Sequence, residues 1–303
     1  MYITQNIIRQ LKASVKYWVA KGGTLLLVFL TLSIATSSCR SPKKTSKEGV
    51  IVVSIEPLRY FTEQISDGRY EVISIVPSGY SPEMYEPTPQ QLISASGAKA
   101  YIKIGQLGFE KTWLEKISEN EPKLPIWNTS DSLGKSMSGL KMSTFDPHTW
   151  TSPRNAVMIC RSICSNLCQM DSVKAPLYKK NLATCIQRIH LVDVKIHKLL
   201  ENVQCRTFVT AHPTLSYFAS DYGLRQLSIE KDGKEPTPQE LAELIRQCKQ
   251  EKVQVILVQP EFNRSNAMVL ARETGAHIVN INPLNYHWDQ EMIQVAKAIK
   301  YGK

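Results

Sequence analysis

The chain has 303 residues, 43% of them hydrophobic, with 37 lysines and arginines against 27 acidic residues and a formal charge of +10. That length exceeds one ordinary domain and suits two once a leader is set aside. The basic residues are scattered rather than clustered with aromatics, which argues against nucleic acid as a partner.

Residues 1–38 carry Arg9, Lys12, Lys16 and Lys21 and no acid, and end in the apolar run TLLLVFLTLSIA and then TSS, just before Cys39. A basic segment, a short apolar stretch and small residues make a secretory signal. The stretch is too short for a comfortable membrane span. Its ending at Cys39 resembles a bacterial lipobox, with Thr36 where leucine is usual, so Cys39 is expected to carry lipid and to become the first mature residue. Losing the leader removes its four positive charges and leaves +6. RSPKKTSKEG follows without an apolar side chain, so residues 39–49 read as a flexible tether.

GVIVVSIEPL is a continuous apolar run, as a buried parallel strand requires. LRYFTEQIS has helical spacing. YEVISIVPSG is a second strand, stopped by Pro77 and Gly79, and TPQQLISASGA opens a helix with Thr-Pro. AKAYIKIG and LPIWNTS give a third and a fourth strand. This alternation predicts a parallel sheet with helices on its faces over residues 50–172, closed by a helix over 153–169. A longer pattern then runs through Leu177, Leu182, Cys185, Ile186, Ile189, Val192, Val194, Ile196, Leu199 and Leu200. A helix of about 25 residues spans nearly 40 Å at roughly 1.5 Å per residue. It reads as a rigid connector over residues 173–203. Strands return in QCRTFVTAH, VQVILVQP and AHIVNINP, with helices in TPQELAELIRQCKQE and RSNAMVLARETG, which makes 204–303 a second α/β lobe. The predicted fold is α/β: two lobes, each a parallel sheet flanked by helices, joined by one long rigid helix.

Seven cysteines are present. Cys160, Cys164 and Cys168, four apart, share one helix face and read as core packing. Zinc–thiolate sites use paired cysteines in loops instead. Cys185, Cys205 and Cys248 allow a disulfide in an exported protein, although sequence does not pair them.

Histidines are few, six in all, and one lies in the stiff segment STFDPHTWTSPRNA. Pro147 fixes its own φ and biases Asp146 towards an extended shape, which holds His148 in place. Three other polar residues stand beyond apolar strands: Glu83 in PSGYSPEMYEPTP, His212 in TFVTAHPTLSYF and Asn282 in IVNINPLN. Ligand residues gather where the strands of open α/β sheets end. Two such positions in each half would meet in the cleft between lobes, which makes that cleft the expected ligand site. Glu261 in LVQPEFN is a second candidate carboxylate, read first as a solvated loop charge. His190 and His197 read as packed or surface residues, His277 as a buried one, and His287 as a substitute ligand near Asn282.

Five segments, SPEMYEPTP, DPHTWTSPRNA, TAHPTLSYFASDYGL, EPTPQEL and INPL, occur in an order and spacing similar to those of the zinc and manganese solute-binding lipoproteins of bacterial ABC importers, the ZnuA/TroA-like metal-binding family. The resemblance covers essentially everything after residue 50. It implies that His148 and His212 are the second and third metal ligands. Glu83 takes the place of a first ligand that is usually histidine, and Asn282 that of an aspartate that is a ligand in some members. The two departures offset each other in charge. The family's zinc branch often carries a histidine-rich loop between the first two ligands; none lies between Glu83 and His148, so no accessory metal trap is expected. Imidazoles suit zinc and iron, while oxygen donors suit manganese. The resemblance therefore implies a cargo of Zn2+ first, with Mn2+ or Fe2+ as alternatives, delivered to an ABC permease and its ATPase by a monomer lipid-anchored to a cell membrane and facing the periplasm or cell exterior. Two histidines and a glutamate also make a catalytic zinc set, so a metal-dependent hydrolase is the alternative, with a surface adhesin on the same scaffold as another. No H-E-x-x-H or G-x-S-x-G is present to favour an enzyme.

Overall fold

The computed structural model describes residues 47–132, 146–231 and 233–302. Cys39, the signal reading and most of the tether reading lie outside these residues.

Four short strands, β1 (Val50–Val53), β2 (Glu71–Ser74), β3 (Ala100–Lys103) and β4 (Ile126–Asn128), form a sheet in the order β2-β1-β3-β4. All its pairings are parallel, with Val52 opposite Ile73 on one side and Tyr101 on the other. Parallel neighbours need crossover connections. Three of these contain helices: α1 (Glu56–Ser66), α2 (Pro89–Ser96) and α3 (Gly108–Asn120). Two helices follow, α4 (Pro153–Met170) and α5 (Ala175–Leu200). The second sheet contains β5 (Thr207–Thr210), β6 (Arg225–Ser228), β7 (Val255–Val258) and β8 (His277–Asn280), in the order β6-β5-β7-β8 and again all parallel. Its helices are α6 (Ser216–Asp221), α7 (Pro238–Gln250), α8 (Ser265–Thr274) and α9 (Trp288–Tyr301).

The Thr-Pro entries work as their chemistry requires. Thr88 and Gln91 close a reciprocal capping box at α2, and Thr237 and Glu240 do the same at α7, each followed by proline in the first turn. Ser152 caps α4 by accepting the Asn155 N–H at 3.1 Å, with Pro153 next. Strand β6, RQLS, has no apolar run and was not expected. It lies at a sheet edge, where burial on both faces is not required.

Helix α5 is 26 residues long. It buries Tyr178, Cys185, Ile189, Val192, Ile196 and Leu200 at helical spacing, while Val194 of the expected stripe is exposed. It is not a bare connector, because it packs along α1 and α4 of the first half and α9 of the second. One hydrophobic core therefore runs through both halves, from Val52 and Phe61 through Ile189 to Phe208 and Trp288. A second cluster, with Val209, Ile256 and Leu270, belongs to the second half alone. Indole groups link the halves: Trp150 Nε1 donates to the Pro283 carbonyl at 2.8 Å and Trp288 Nε1 to the Trp150 carbonyl at 2.7 Å.

Cys160 and Cys164 are buried on α4 as core packing, with Cys168 half-buried beside them. The disulfide that sequence left open among Cys185, Cys205 and Cys248 is not formed: these residues are free, and each sits in different surroundings. Cys185 faces Cys160, Cys205 donates to backbone carbonyls, and Cys248 is in the second cluster.

Candidate metal centre

Three of the expected residues converge. Glu83, His148 and His212 each offer one ligand atom, and these atoms all lie within 4.8 Å of one another. The three arrive from separate connections, Glu83 after β2, His148 just before α4 and His212 after β5.

Glu83 is held by the start of α3. The Gly108 N–H donates to Glu83 Oε2 at 3.2 Å, so the carboxylate faces a helix N-terminus, where negative charge is favoured. The approach is close: a Cβ on Gly108 would stand 2.2 Å from the Glu83 carbonyl oxygen. Only glycine lets the two chains meet here.

His148 is clamped by its neighbour. Asp146 Oδ1 accepts both the His148 backbone N–H at 2.9 Å and its ring Nδ1 at 2.7 Å. A carboxylate can only accept, so Nδ1 carries the proton and Nε2 keeps its lone pair for a metal. Burial alone would raise the Asp146 carboxyl, but the hydrogen bonds from His148 outweigh it and hold the group below its ordinary value.

His212 follows the same logic with a distant partner. Its Nδ1 lies 2.9 Å from Glu230 Oε2 at the end of the β6 connection. Its ring stacks on Phe262 at 4.7 Å and 6°. The loop is fixed by Gln259, whose amide donates to the His212 carbonyl at 2.9 Å and to Thr214 Oγ1 at 3.0 Å. Burial, followed by the charge of His148, lowers the His212 imidazole below its ordinary value. The His148 and His212 rings are 5.3 Å apart at 77°.

These side chains line a small cavity walled by Pro82, Trp150, Phe262 and Leu284. Among the described residues, six buried side-chain nitrogen and oxygen atoms lack a hydrogen-bond partner, and three of them line this cavity: Glu83 Oε1, His212 Nε2 and Glu261 Oε2. Buried polar atoms without partners are costly and uncommon. Their concentration on one cavity marks a place built for an ion. Glu261 is therefore not the solvated loop charge expected from sequence: it lines the cavity, and burial raises its carboxyl above the ordinary value.

Asn282, expected as a ligand, is not among the residues lining the cavity. Its Oδ1 accepts the Leu284 N–H at 3.1 Å and its Nδ2 donates to Ser78 Oγ at 3.1 Å, across the two halves. His287 is exposed, its backbone N–H bonded to Asn285, and it does not line the cavity. His190 and His197 are exposed on α5, and His277 is exposed rather than buried. Sequence reasoning did not find Asp146 or Glu230 as backing carboxylates. The first was visible as an acid two residues before His148; the second comes from the unforeseen β6 connection.

A family model described as zinc-uptake complex component A, periplasmic, matches residues 51–299. A putative metal-binding protein of Chlamydia trachomatis is 26% identical over 273 residues, 90% of this chain and 98% of that one. The manganese ABC transporter substrate-binding lipoprotein PsaA of Streptococcus anginosus is 25% identical over 280 residues, 85% of this chain and 88% of that one. Among solved structures, ZnuA matches with a TM-score of 0.78 at 33% identity, covering 83% of this chain and 97% of that one. The likeness runs through both sheets and the helix between them, and the chain belongs to the family of the periplasmic zinc-uptake component A.

Proposed function

We propose that this protein is the solute-binding component of an ABC importer, capturing a divalent transition metal on Glu83, His148 and His212 and delivering it to a membrane permease and its ATPase. The observation that carries the reading is the convergence of three ligand atoms within 4.8 Å, two of the residues keeping buried, unpartnered donor atoms. Zinc is the first assignment, from the family's description. Manganese is the second, from the relative that carries it in its name, and ferrous iron the third. Asn282 is assigned a bridging role towards Ser78. No catalytic step is assigned, in keeping with a family of transport components.

The same reading takes residues 1–38 as an export signal, Cys39 as the lipidated residue, 39–49 as a tether, and 50–172 and 204–303 as lobes on either side of the 173–203 connector, acting as a monomer. Among the described residues no helix is long and apolar enough to cross a membrane; anchoring is assigned to lipid on Cys39 from the sequence that precedes it. Mass spectrometry of the native protein tests this part, because Cys39→Ala should remove the acyl mass and release the protein from membranes. The metal reading is tested by stripping the purified protein and titrating it with zinc, manganese and ferrous iron in competition. Saturation at one ion per chain is expected; binding of none of the three would refute it.

A further inference from the structure

We infer that Glu261 is a fourth metal ligand, a carboxylate that swings onto the captured ion and tilts the site towards oxygen-preferring divalent ions such as manganese. The inference rests on the metal-capture reading above and deepens it.

Glu261 lines the same cavity as Glu83, His148 and His212, and its Oε2 is buried with no hydrogen-bond partner. A carboxylate is not left so without a reason, since an unpaired buried charge is strongly disfavoured. No lysine or arginine lines the cavity to neutralise it. Its position is fixed relative to the ligands. It lies just past the end of β7, between Gln259, which holds the His212 loop, and Phe262, which stacks on the His212 ring. The metal-ligand group within 4.8 Å comprises Glu83, His148 and His212 without Glu261. A side-chain rotation is therefore needed; Oε2 has no hydrogen bond to break, and the carboxylate's contact with its own backbone N–H is local to the residue.

Charge and donor type follow. Two imidazoles with protons on Nδ1 are neutral, and Asn282 adds no charge. Asp146 and Glu230 act on the ion only through the imidazoles they back; among groups that reach it directly, Glu83 alone leaves a divalent ion half compensated, and Glu83 with Glu261 balances it. The set becomes two nitrogens and two carboxylates. Manganese gains more from the added oxygen than zinc does, because carboxylate oxygen suits the harder ion.

The test is Glu261→Gln, which keeps shape and removes the charge, titrated with Zn2+ and with Mn2+ beside the native protein. Affinity should fall for both ions, and at least about tenfold more for manganese than for zinc, within the range expected for groups that tune a site. The metal-free variant should melt no lower than the native protein, because an unpaired buried carboxylate has gone. Equal loss for the two ions, native affinity for both, or a lower melting temperature of the metal-free variant would overturn the inference, the last by making Glu261 a structural residue. A crystal of the native protein soaked in zinc checks it without any variant. A Glu261 oxygen is expected within about 2.2 Å of the ion, the usual zinc–carboxylate distance; a zinc bound by Glu83, His148 and His212 with Glu261 turned away would also overturn it. If the native protein binds neither ion, the metal reading itself fails, which is a different result from a native protein that binds and a variant that matches it.

Discussion

In the first half of the molecule, ordered β2-β1-β3-β4, the cavity carboxylate is pinned: the Gly108 N–H holds Glu83 from the start of α3. In the second half, ordered β6-β5-β7-β8, the cavity carboxylate Glu261 is contacted by its own backbone N–H rather than by another element, and each carboxylate keeps one unpartnered oxygen, Glu83 Oε1 and Glu261 Oε2. The two sheets repeat one strand order, so their strand ends offer equivalent ground, and the difference lies in the connections. A donor held by another element is positioned before an ion arrives, and one tied only within its own residue adjusts after it. The imidazoles do not share this asymmetry. His148 and His212 are each backed at Nδ1 by a carboxylate, at 2.7 Å and 2.9 Å. One backing group is two residues away in sequence and the other is eighteen residues away.

The most severe break in this arrangement removes a nitrogen donor from either half. His148→Ala and His212→Ala should each weaken metal binding by more than about 100-fold, since loss of a mere backing group typically costs about 10–100-fold. Competitive titration of the stripped protein measures it. A variant of either histidine that kept native affinity would show that one half alone holds the ion.

Glu83→Gln comes next. It preserves shape and the Gly108 contact but removes an anion, and a loss of roughly 10–100-fold is expected, comparable with removal of a strong tuning group. Asn282→Ala should cost far less, because the Asn282 oxygen is occupied by the Leu284 N–H. If the two variants were to rank the other way in isothermal titration, the anion of the first half would be misplaced.

The backing carboxylates sharpen the comparison through pH. Glu230→Gln and Asp146→Asn should each weaken binding by about tenfold at neutral pH, as the imidazole is no longer fixed in one tautomer. Burial and the neighbouring His148 already lower His212, while Glu230 raises it. The unfolded imidazole therefore binds a proton more readily than the folded one, and the metal-free protein loses stability as pH falls from about 6.5 through the depressed folded value. Glu230→Gln removes a raising influence and moves that value further down. The variant should bind metal more weakly at neutral pH yet suffer less proton competition at His212 as the solution is acidified. A metal affinity measured from pH 7.5 to 5.5 whose acid fall was steeper in the variant would contradict the assignment of Nδ1 as the protonated nitrogen.

These contrasts also explain what could be read from sequence. VIVV in β1 and VILV in β7 are apolar at every position because both faces of a central parallel strand are covered, and RQLS in β6 was silent because an edge needs no such run. The Thr-Pro entries were local chemistry and were legible at once. His148 and His212 stood out because their motifs are local too, and Asp146 was within reach for the same reason. Glu230 was not legible, and Glu261 was legible only as a second candidate carboxylate ranked behind a solvated loop charge. Glu230 depends on the unseen β6 connection, and Glu261 follows Gln-Pro in a turn that looks solvated. The turn that carries Glu261 is tied to the His212 loop by contacts distant in sequence, the Phe262 ring on His212 and the Gln259 amide on the His212 carbonyl. The connector was foreseen as a helix but not as a packed one, since its partners α1, α4 and α9 come from both ends of the chain.

A smaller effect lies at the seam between the halves. Trp150→Phe leaves the Pro283 carbonyl without its donor in a buried place. An unsatisfied buried acceptor costs about 1–3 kcal/mol, and a protein of this size loses roughly 2–4 °C of melting temperature per kcal/mol. Scanning calorimetry of the metal-free protein should show that drop, with metal affinity changed much less than in any variant of Glu83, His148 or His212. A large loss of affinity with no change in melting would mean that the indole serves the site rather than the seam.

The smallest change is expected in overall shape. Binding proteins whose lobes cross by loops close around their ligands by hinge rotation. Here the two halves share one core along α5. They are also tied by polar contacts: the Tyr286 hydroxyl donates to Glu63 at 2.6 Å, and Asn282 reaches Ser78. Rotation of one sheet against the other would expose Phe61 and Trp288, whose rings pack 5.2 Å apart, and would bend a 26-residue helix against its own backbone hydrogen bonds. Ion capture is therefore expected to be absorbed by side chains, with Glu261 moving most and the sheets least. Small-angle scattering with and without saturating zinc should give nearly superimposable curves. A contraction of the kind that loop-hinged proteins undergo would show that the shared core yields, and that the looseness seen at Glu261 belongs to the whole second half.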